Sequence, residues 1–442
     1  MNLIALLIWF LIIPVWLKIL TLSKRSLMQP SAISILFGFI LIFQYLGLPL
    51  LYFDVVSDIG GLKSITPNKS TVFYLFLMNT FVTTCLLIGY FIADKSIVKP
   101  IRENQMIRNN FELKSGDLFT SLLLFAICSI VLIVFINSIG FYNVALIGLF
   151  SAADQLSGIS LRSNMTDVMS GSHWYKLFMK DLLSIATISL LIISINKKSF
   201  MLRMFTFFSV FLCFFSFLLT LEKAPIVGLI LMISVGIVLS SQKGQFNLKA
   251  LIILFIFLLT LLSTMYILFM SDTKGLLGAF ESIYKRVLTG SLIPGYYYLE
   301  YFPHIEDFIL GRSMPNPANL FPFESYNLTK EISLWAFPED RKAGISGSMP
   351  AFFWGEFYAN FGVLAALLGS AIIGFLLRII DYAIDNRGNN PLIIALSSWV
   401  IIHFAELSST GFTTYLLDVY LIFSTVVVFT LVIFQKLLFS RT

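Results

Sequence analysis

A chain of 442 residues with 58% hydrophobic and only 12% charged side chains is too apolar to fold in water, since soluble domains carry about 25% charged residues. The mean hydropathy of +0.89 agrees. A soluble globule, a secreted or disordered chain and a nucleic-acid-binding domain are excluded despite the net charge of +6, and the class expected is an all-α polytopic membrane protein.

Runs of about 20 apolar residues, the length that crosses the hydrocarbon of a bilayer, are predicted at residues 2–20, 31–52, 71–93, 117–138, 177–195, 201–221, 225–240, 250–270, 358–378, 391–411 and 414–435. The first has no basic residue before it and no small-residue cleavage site, so it reads as a retained span rather than a signal peptide. Between the sixth and seventh, Leu221-Glu222-Lys223-Ala224-Pro225 must reverse the chain; proline suits the first turn of the helix that follows. The chain thus divides into eight spans over 1–270, a loop over 271–350 and three spans over 351–442.

Basic residues set the direction. With the first span running inward, the segments on the cytoplasmic side hold seventeen Lys and Arg, the short segments opposite hold six, and the long loop holds seven. Short loops rich in Lys and Arg stay inside, which predicts an external N-terminus and a cytoplasmic C-terminus. The basic excess is then a property of topology, and no nucleic-acid partner is needed.

Cys85, Cys128 and Cys213 lie inside apolar runs without CxxC spacing, and His173, His304 and His403 form neither HExxH nor HxH; neither a disulfide framework nor a metal site is expected. The loop over 271–350 is long enough to suggest a function of its own. It carries thirteen aromatic residues, and its seven basic side chains nearly balance nine acidic ones.

Ionisable groups near membrane depth are functional candidates, because their burial in lipid is costly. Arg162, Lys223 and Arg286 lie near external span ends; together they could hold a diphosphate, or each could be an anchor reaching the headgroups. Glu356 and Asn360 share a helix face at the entry to the ninth span. Glu356 is either a general base or an acid complementing a helix N-terminus. His403 and Glu406, three residues apart, could form a second acid/base or hydrogen-bonded pair, while Asp418 reads as a lone carboxylate inside the eleventh span. Tyr296, Tyr297, Tyr298, Tyr301 and Phe302 could offer faces to sugar rings or simply populate the interface.

The run Arg286-Val-Leu-Thr-Gly, then Tyr297-Tyr298-Leu299-Glu300-Tyr301-Phe302-Pro303, Gly311-Arg312-Ser313 and Phe353-Trp354-Gly355-Glu356-Phe357-Tyr358-Ala359-Asn360-Phe361-Gly362 resembles the bacterial oligosaccharide repeat-unit polymerases of the Wzy type, best over the second half of the chain. The resemblance implies a membrane-embedded, GT-C-like glycosyltransferase with a large periplasmic loop, in the bacterial inner membrane. It would join undecaprenyl-diphosphate-linked repeat units into O-antigen or capsular polysaccharide without a cofactor or metal. A chain-length-regulating co-polymerase is the protein partner implied. Arg162, Lys223, Arg286 and Arg312 would hold the diphosphate, though this family carries arginine where the chain has Lys223. Glu356, with His403 or Glu406 in reserve, would be the base. Tyr297, Tyr298, Tyr301, Trp354, Tyr358 and Asn360 would meet the glycan. The competing expectations are an O-antigen ligase-type transferase, a polysaccharide flippase, for which related chain halves are lacking, and a scaffold of an envelope complex.

Overall fold

The computed structural model describes residues 3–55, 67–96, 113–140, 144, 172–219, 223–269, 275–316, 320–342, 347–416 and 418–439. Among them are eleven helices long and apolar enough to cross a membrane: Ala5–Leu22, Ala32–Tyr52, Lys69–Ser96, Gly116–Ile139, Trp174–Lys197, Phe200–Leu218, Lys223–Ser240, Leu248–Ile267, Phe353–Asp385, Pro391–Ser408 and Val419–Phe439. They are numbered here as spans one to eleven. The chain is thus an all-helical, multi-pass membrane protein, as its apolar runs predict. Exposed side chains such as Phe10, Phe207, Ile253 and Leu437 are what lipid requires and water would penalise.

Several boundaries differ from expectation by a few residues, and three of them bear on the site. The ninth span begins at Phe353 rather than 358, so the Trp354–Gly362 motif forms its first turns, and it is two helices joined at Gly362, where φ is 79° and ψ −167°. The tenth ends at Ser408 and the eleventh begins only at Val419. The polar run between them, with the short helix Phe412–Leu416, is not membrane-spanning structure, and Asp418 lies before the eleventh span rather than within it. Hydrophobic averaging had merged this run into its apolar neighbours. Pro225 sits in the first turn of the helix Lys223–Ser240, as expected.

The chain groups into two compact units. The first holds residues 1–101, 280–385 and 403–418, and the second holds 102–279, 386–402 and 419–442. In the first, the third and ninth spans pack along much of their length because small residues let the backbones meet. A Cβ on Gly89 would run into the carbonyl of Ala371, and one on Gly374 into that of Leu86. Close approach at glycine is how helices associate where lipid supplies no hydrophobic drive. At one end of these helices the buried Arg25, Arg378 and Asp381 form a network with the less buried Asp94 and Asp385. Arg25 pairs with Asp385, Arg378 Nε lies 2.8 Å from Asp94 Oδ1, and Asp381 accepts from Tyr90 Oη at 2.9 Å and from the Ala32 amide at 2.6 Å.

In the second unit the fourth and fifth spans are joined by Ser121 and Ser189, whose hydroxyls lie 2.7 Å apart. Asp117 accepts from Gln435 Nε2 at 2.6 Å and Asn390 Nδ2 at 3.1 Å. Leu132, Phe135, Met179 and Leu219 form part of its apolar core.

The connection from the eighth to the ninth span carries four short helices, Gly275–Leu288, Leu292–Tyr301, Leu328–Ala336 and Pro338–Lys342. Leu292–Tyr301 docks on the start of the third span: Tyr296 Oη accepts from the Asn68 amide at 3.0 Å, and Thr71 donates to Glu300.

Candidate active site

The site grows out of the break at Gly362. In an unbroken helix the carbonyls of Ala359 and Asn360 would accept from the amides four residues on. The positive φ at Gly362 takes those amides away, and buried carbonyls need new donors. The loop before them supplies these: the Ile309 amide donates to Ala359 O at 3.0 Å and the Leu310 amide to Asn360 O at 3.1 Å. The loop turns at Leu310 and Gly311, both with positive φ. The Gly311 amide donates to Asn360 Oδ1 at 2.7 Å. That docking carries Ser313 to the first turn of the ninth span.

Glu356 occupies that turn and is 6% exposed. Its Oε1 accepts from Ser313 Oγ at 3.2 Å and from Thr413 Oγ1 at 2.5 Å, while Oε2 accepts from the Thr413 amide at 3.0 Å. Charge-assisted bonds of this kind are stronger than neutral ones. The segment after the tenth span is pressed onto the carboxylate: a Cβ on Gly411 would sit 2.6 Å from Oε2, and the next ring, Phe412, stacks on Phe357 with centroids 4.0 Å apart.

Glu356 opens into a cavity of about 430 Å³. The lining also holds hydroxyls and amides, chiefly Ser313, Asn316, Asn327, Thr329 and Thr413, the rings of Tyr298 and Tyr326, and the apolar Met314, Pro315, Leu328 and Ala351. Among the described residues no Lys or Arg lines it. Arg312 stands beside it, with its guanidinium 5.5 Å from the centre of the Tyr326 ring and 3.7 Å from Glu306. Burial, then the bond to Tyr301, then the neighbouring acids push the Tyr326 phenol well above its ordinary value; burial does the same for Tyr298. Both stay protonated over the physiological range.

The expected site residues part company here. Glu356, Tyr298 and, at the rim, Arg312 belong to the cavity. Asn360 is buried and its amide is committed inward, with Nδ2 donating to Ser313 Oγ and to Glu356 O, each at 2.7 Å. Trp354 is wholly buried and donates to Asn79 Oδ1 at 3.0 Å; Tyr358, also buried, donates to Phe302 O at 2.9 Å. Tyr297 and Tyr301 pack edge-on against Trp335, at 5.8 and 5.2 Å between centroids. These rings build the wall behind the cavity.

His403 and Glu406 are absent from the lining. His403 Nε2 lies 3.1 Å from Tyr415 O and 3.7 Å from Asp418 Oδ2, and Glu406 accepts from Tyr415 Oη. Both clasp the segment that delivers Gly411 and Thr413, and Asp418 is not the lone carboxylate it looked to be. Arg286 is exposed on Gly275–Leu288, in the first unit. Lys223 belongs to the second, its ammonium 3.7 Å from the centre of the Tyr266 ring. Arg162 lies outside the described residues.

Sequence reasoning missed Gly411, Thr413 and Tyr326. The signal for the first two was present: Ser408-Ser409-Thr410-Gly411-Phe412-Thr413-Thr414 is a dense polar run between two apolar spans.

No protein-family model matches the chain, no curated protein matches its sequence and no solved structure matches its fold.

Proposed function

We propose that the protein is a membrane-embedded glycosyltransferase that polymerises polyprenyl-diphosphate-linked oligosaccharide repeat units, a polysaccharide polymerase of the bacterial inner membrane. The observation that carries this reading is Glu356: a carboxylate held by three donors in a cavity that presents hydroxyl, amide and phenol groups beside the apolar Met314, Pro315, Leu328 and Ala351, the mixture of polar and apolar faces that suits a sugar. A base within hydrogen-bond reach of a bound hydroxyl is the requirement for glycosyl transfer by displacement. Glu356 takes the proton of the acceptor hydroxyl, the alkoxide attacks the anomeric carbon of the donor, and the bond to the diphosphate breaks with inversion. The leaving diphosphate needs cations; Arg312 at the rim and Arg286 in the same unit are the first candidates, and Arg162 and Lys223 are the further two that the resemblance names. Three residues of the amino-acid pattern that resembles repeat-unit polymerases, Tyr298, Ser313 and Glu356, line this cavity, which adds support. The excess of Lys and Arg in the short segments on one side of the spans fits a cavity facing the periplasm.

The test is complementation of a polymerase-null strain. Glu356→Gln keeps shape and loses the base, so the expected result is membrane-inserted protein and no polysaccharide ladder. A normal ladder removes the base, and the enzymatic reading with it. Purified protein given two lipid-diphosphate substrates should return a ladder, whereas a ligase would return one product.

A further inference from the structure

The charge of the cavity restricts what can sit in it. Glu356 is the one carboxylate in the lining, and no cation accompanies it among the described residues. Arg312, next in sequence to the lining residue Ser313, faces Glu306 at 3.7 Å, so the pair adds little net charge. Lys330 and Glu331, neighbours on Leu328–Ala336 beside the lining residue Thr329, offset each other likewise. The field inside is therefore negative: Glu356 is its source within the lining, Glu306 and Glu331 add to it at Tyr326, and the charge of Glu356 is poorly screened because the group is buried. A second anion placed within a few ångströms meets repulsion that water would have damped.

Resting on the glycosyltransferase reading above, we propose that this cavity is the acceptor subsite and selects a sugar residue that is neutral or carries an amine, excluding uronate and phosphate groups, so that the donor diphosphate stays outside it, toward Arg312. The neutral lining supports this. Thr413 Oγ1, the Thr413 amide and Ser313 Oγ already donate to Glu356, which leaves the carboxylate, with about four acceptor sites, room for one more donor, such as a sugar hydroxyl or ammonium, and none for another acceptor. The rings of the buried Tyr298 and the half-buried Tyr326, both protonated at neutral pH, add apolar faces to those donors and acceptors.

The experiment uses the full chain in lipid nanodiscs and saturation-transfer NMR with pairs of methyl glycosides, the neutral hexopyranoside and its uronate, in the gluco, galacto and manno series, and the corresponding 2-amino sugars. The expected result is that at least one neutral or amino glycoside binds and its uronate binds at least about tenfold more weakly, as an added like charge near a buried one implies. Glu356→Gln should bring the two within about twofold, and Thr329→Lys, which adds a cation to the lining without touching Glu356, should narrow the gap independently. Uronates binding as well as the neutral sugars, a gap that persists in both variants, or no glycoside bound at all would each overturn the proposal. The outcomes separate from those of the functional reading. Glu356→Gln that abolishes ladders while uronates bind wild type freely sinks the selectivity alone; selective sugar binding with ladders intact in Glu356→Gln sinks the enzymatic reading alone.

Discussion

Asn360 Nδ2 lies 2.7 Å from Ser313 Oγ, and that hydroxyl donates to Glu356 Oε1 at 3.2 Å. One buried amide therefore sets where a loop residue stands relative to the carboxylate. Its own oxygen holds the Gly311 amide, so every polar atom of Asn360 serves the loop. Asn360→Asp keeps the acceptor, removes both donors and places a charge beside Ser313. Removing buried hydrogen bonds and leaving groups unsatisfied costs about 1–3 kcal/mol. The variant should unfold at a lower temperature in detergent and give short or faint ladders. Unchanged melting would show that the loop is held by its backbone bonds alone.

Gly411 offers a test of geometry with little change in chemistry. A methyl there would lie 2.6 Å from Glu356 Oε2, so Gly411→Ala must push either the carboxylate or the Thr413 segment away. Displacing a reacting group by about 1 Å can cost on the order of 100-fold in rate. Polymer formation should fall by about 10- to 100-fold with protein yield intact. Gly388, where a Cβ would meet nothing within 4 Å, is the control: Gly388→Ala should behave as wild type. Equal activity for the two variants would mean that the Gly411 contact does not position Glu356.

The backbone contact between the third and ninth spans sets a stability test. Gly374→Val puts three carbons where Leu86 O and the Tyr90 amide now stand. Overpacking costs about 1–3 kcal/mol when side chains can yield, and a helix backbone yields less than a side chain. The variant should be recovered in poor yield and melt well below wild type, whereas Gly228→Val, at a position with no neighbour within 4 Å, should not. A stable Gly374→Val protein would contradict the close packing.

The spans were legible because crossing hydrocarbon demands about 20 apolar residues in sequence, a purely local requirement. Glu356 with Asn360 was legible for the same reason, since residues four apart on a helix share a face. What completes the site is not local. Ser313 and Thr413 lie 43 and 57 residues from Glu356, and the loop that brings Ser313 in depends on carbonyls freed at Gly362, a glycine that reads as ordinary inside an apolar run. Arg25 and Asp385, 360 residues apart, each look like a surface charge until the fold pairs them, burying Arg25 against a partly exposed Asp385. The aromatic residues misled in the other direction. Trp354 and Tyr358 have the composition of a sugar platform, but their indole and phenol donors find partners inside the protein, and that turns their faces into packing.

The buried network at the far end of the ninth span supplies the last prediction. Arg378 is 5% exposed and serves two carboxylates, Asp94 at 2.8 Å and Asp385 at 3.8 Å. Removing one partner of a buried pair leaves the other charge uncompensated, at about 3–5 kcal/mol, while replacing both by apolar groups can be neutral. Arg378→Met should therefore be severely destabilised. Arg378→Met combined with Asp94→Leu should recover part of that loss, because only Asp385 is then short of a partner, and it keeps Arg25. Thermal midpoints of the two singles and the double in one detergent close the cycle, with a coupling of about 1–3 kcal/mol expected for residues in contact. Strict additivity would mean that Arg378 and Asp94 do not act as a pair, and that the end of the first unit is held by the Arg25–Asp385–Asp381 cluster without them.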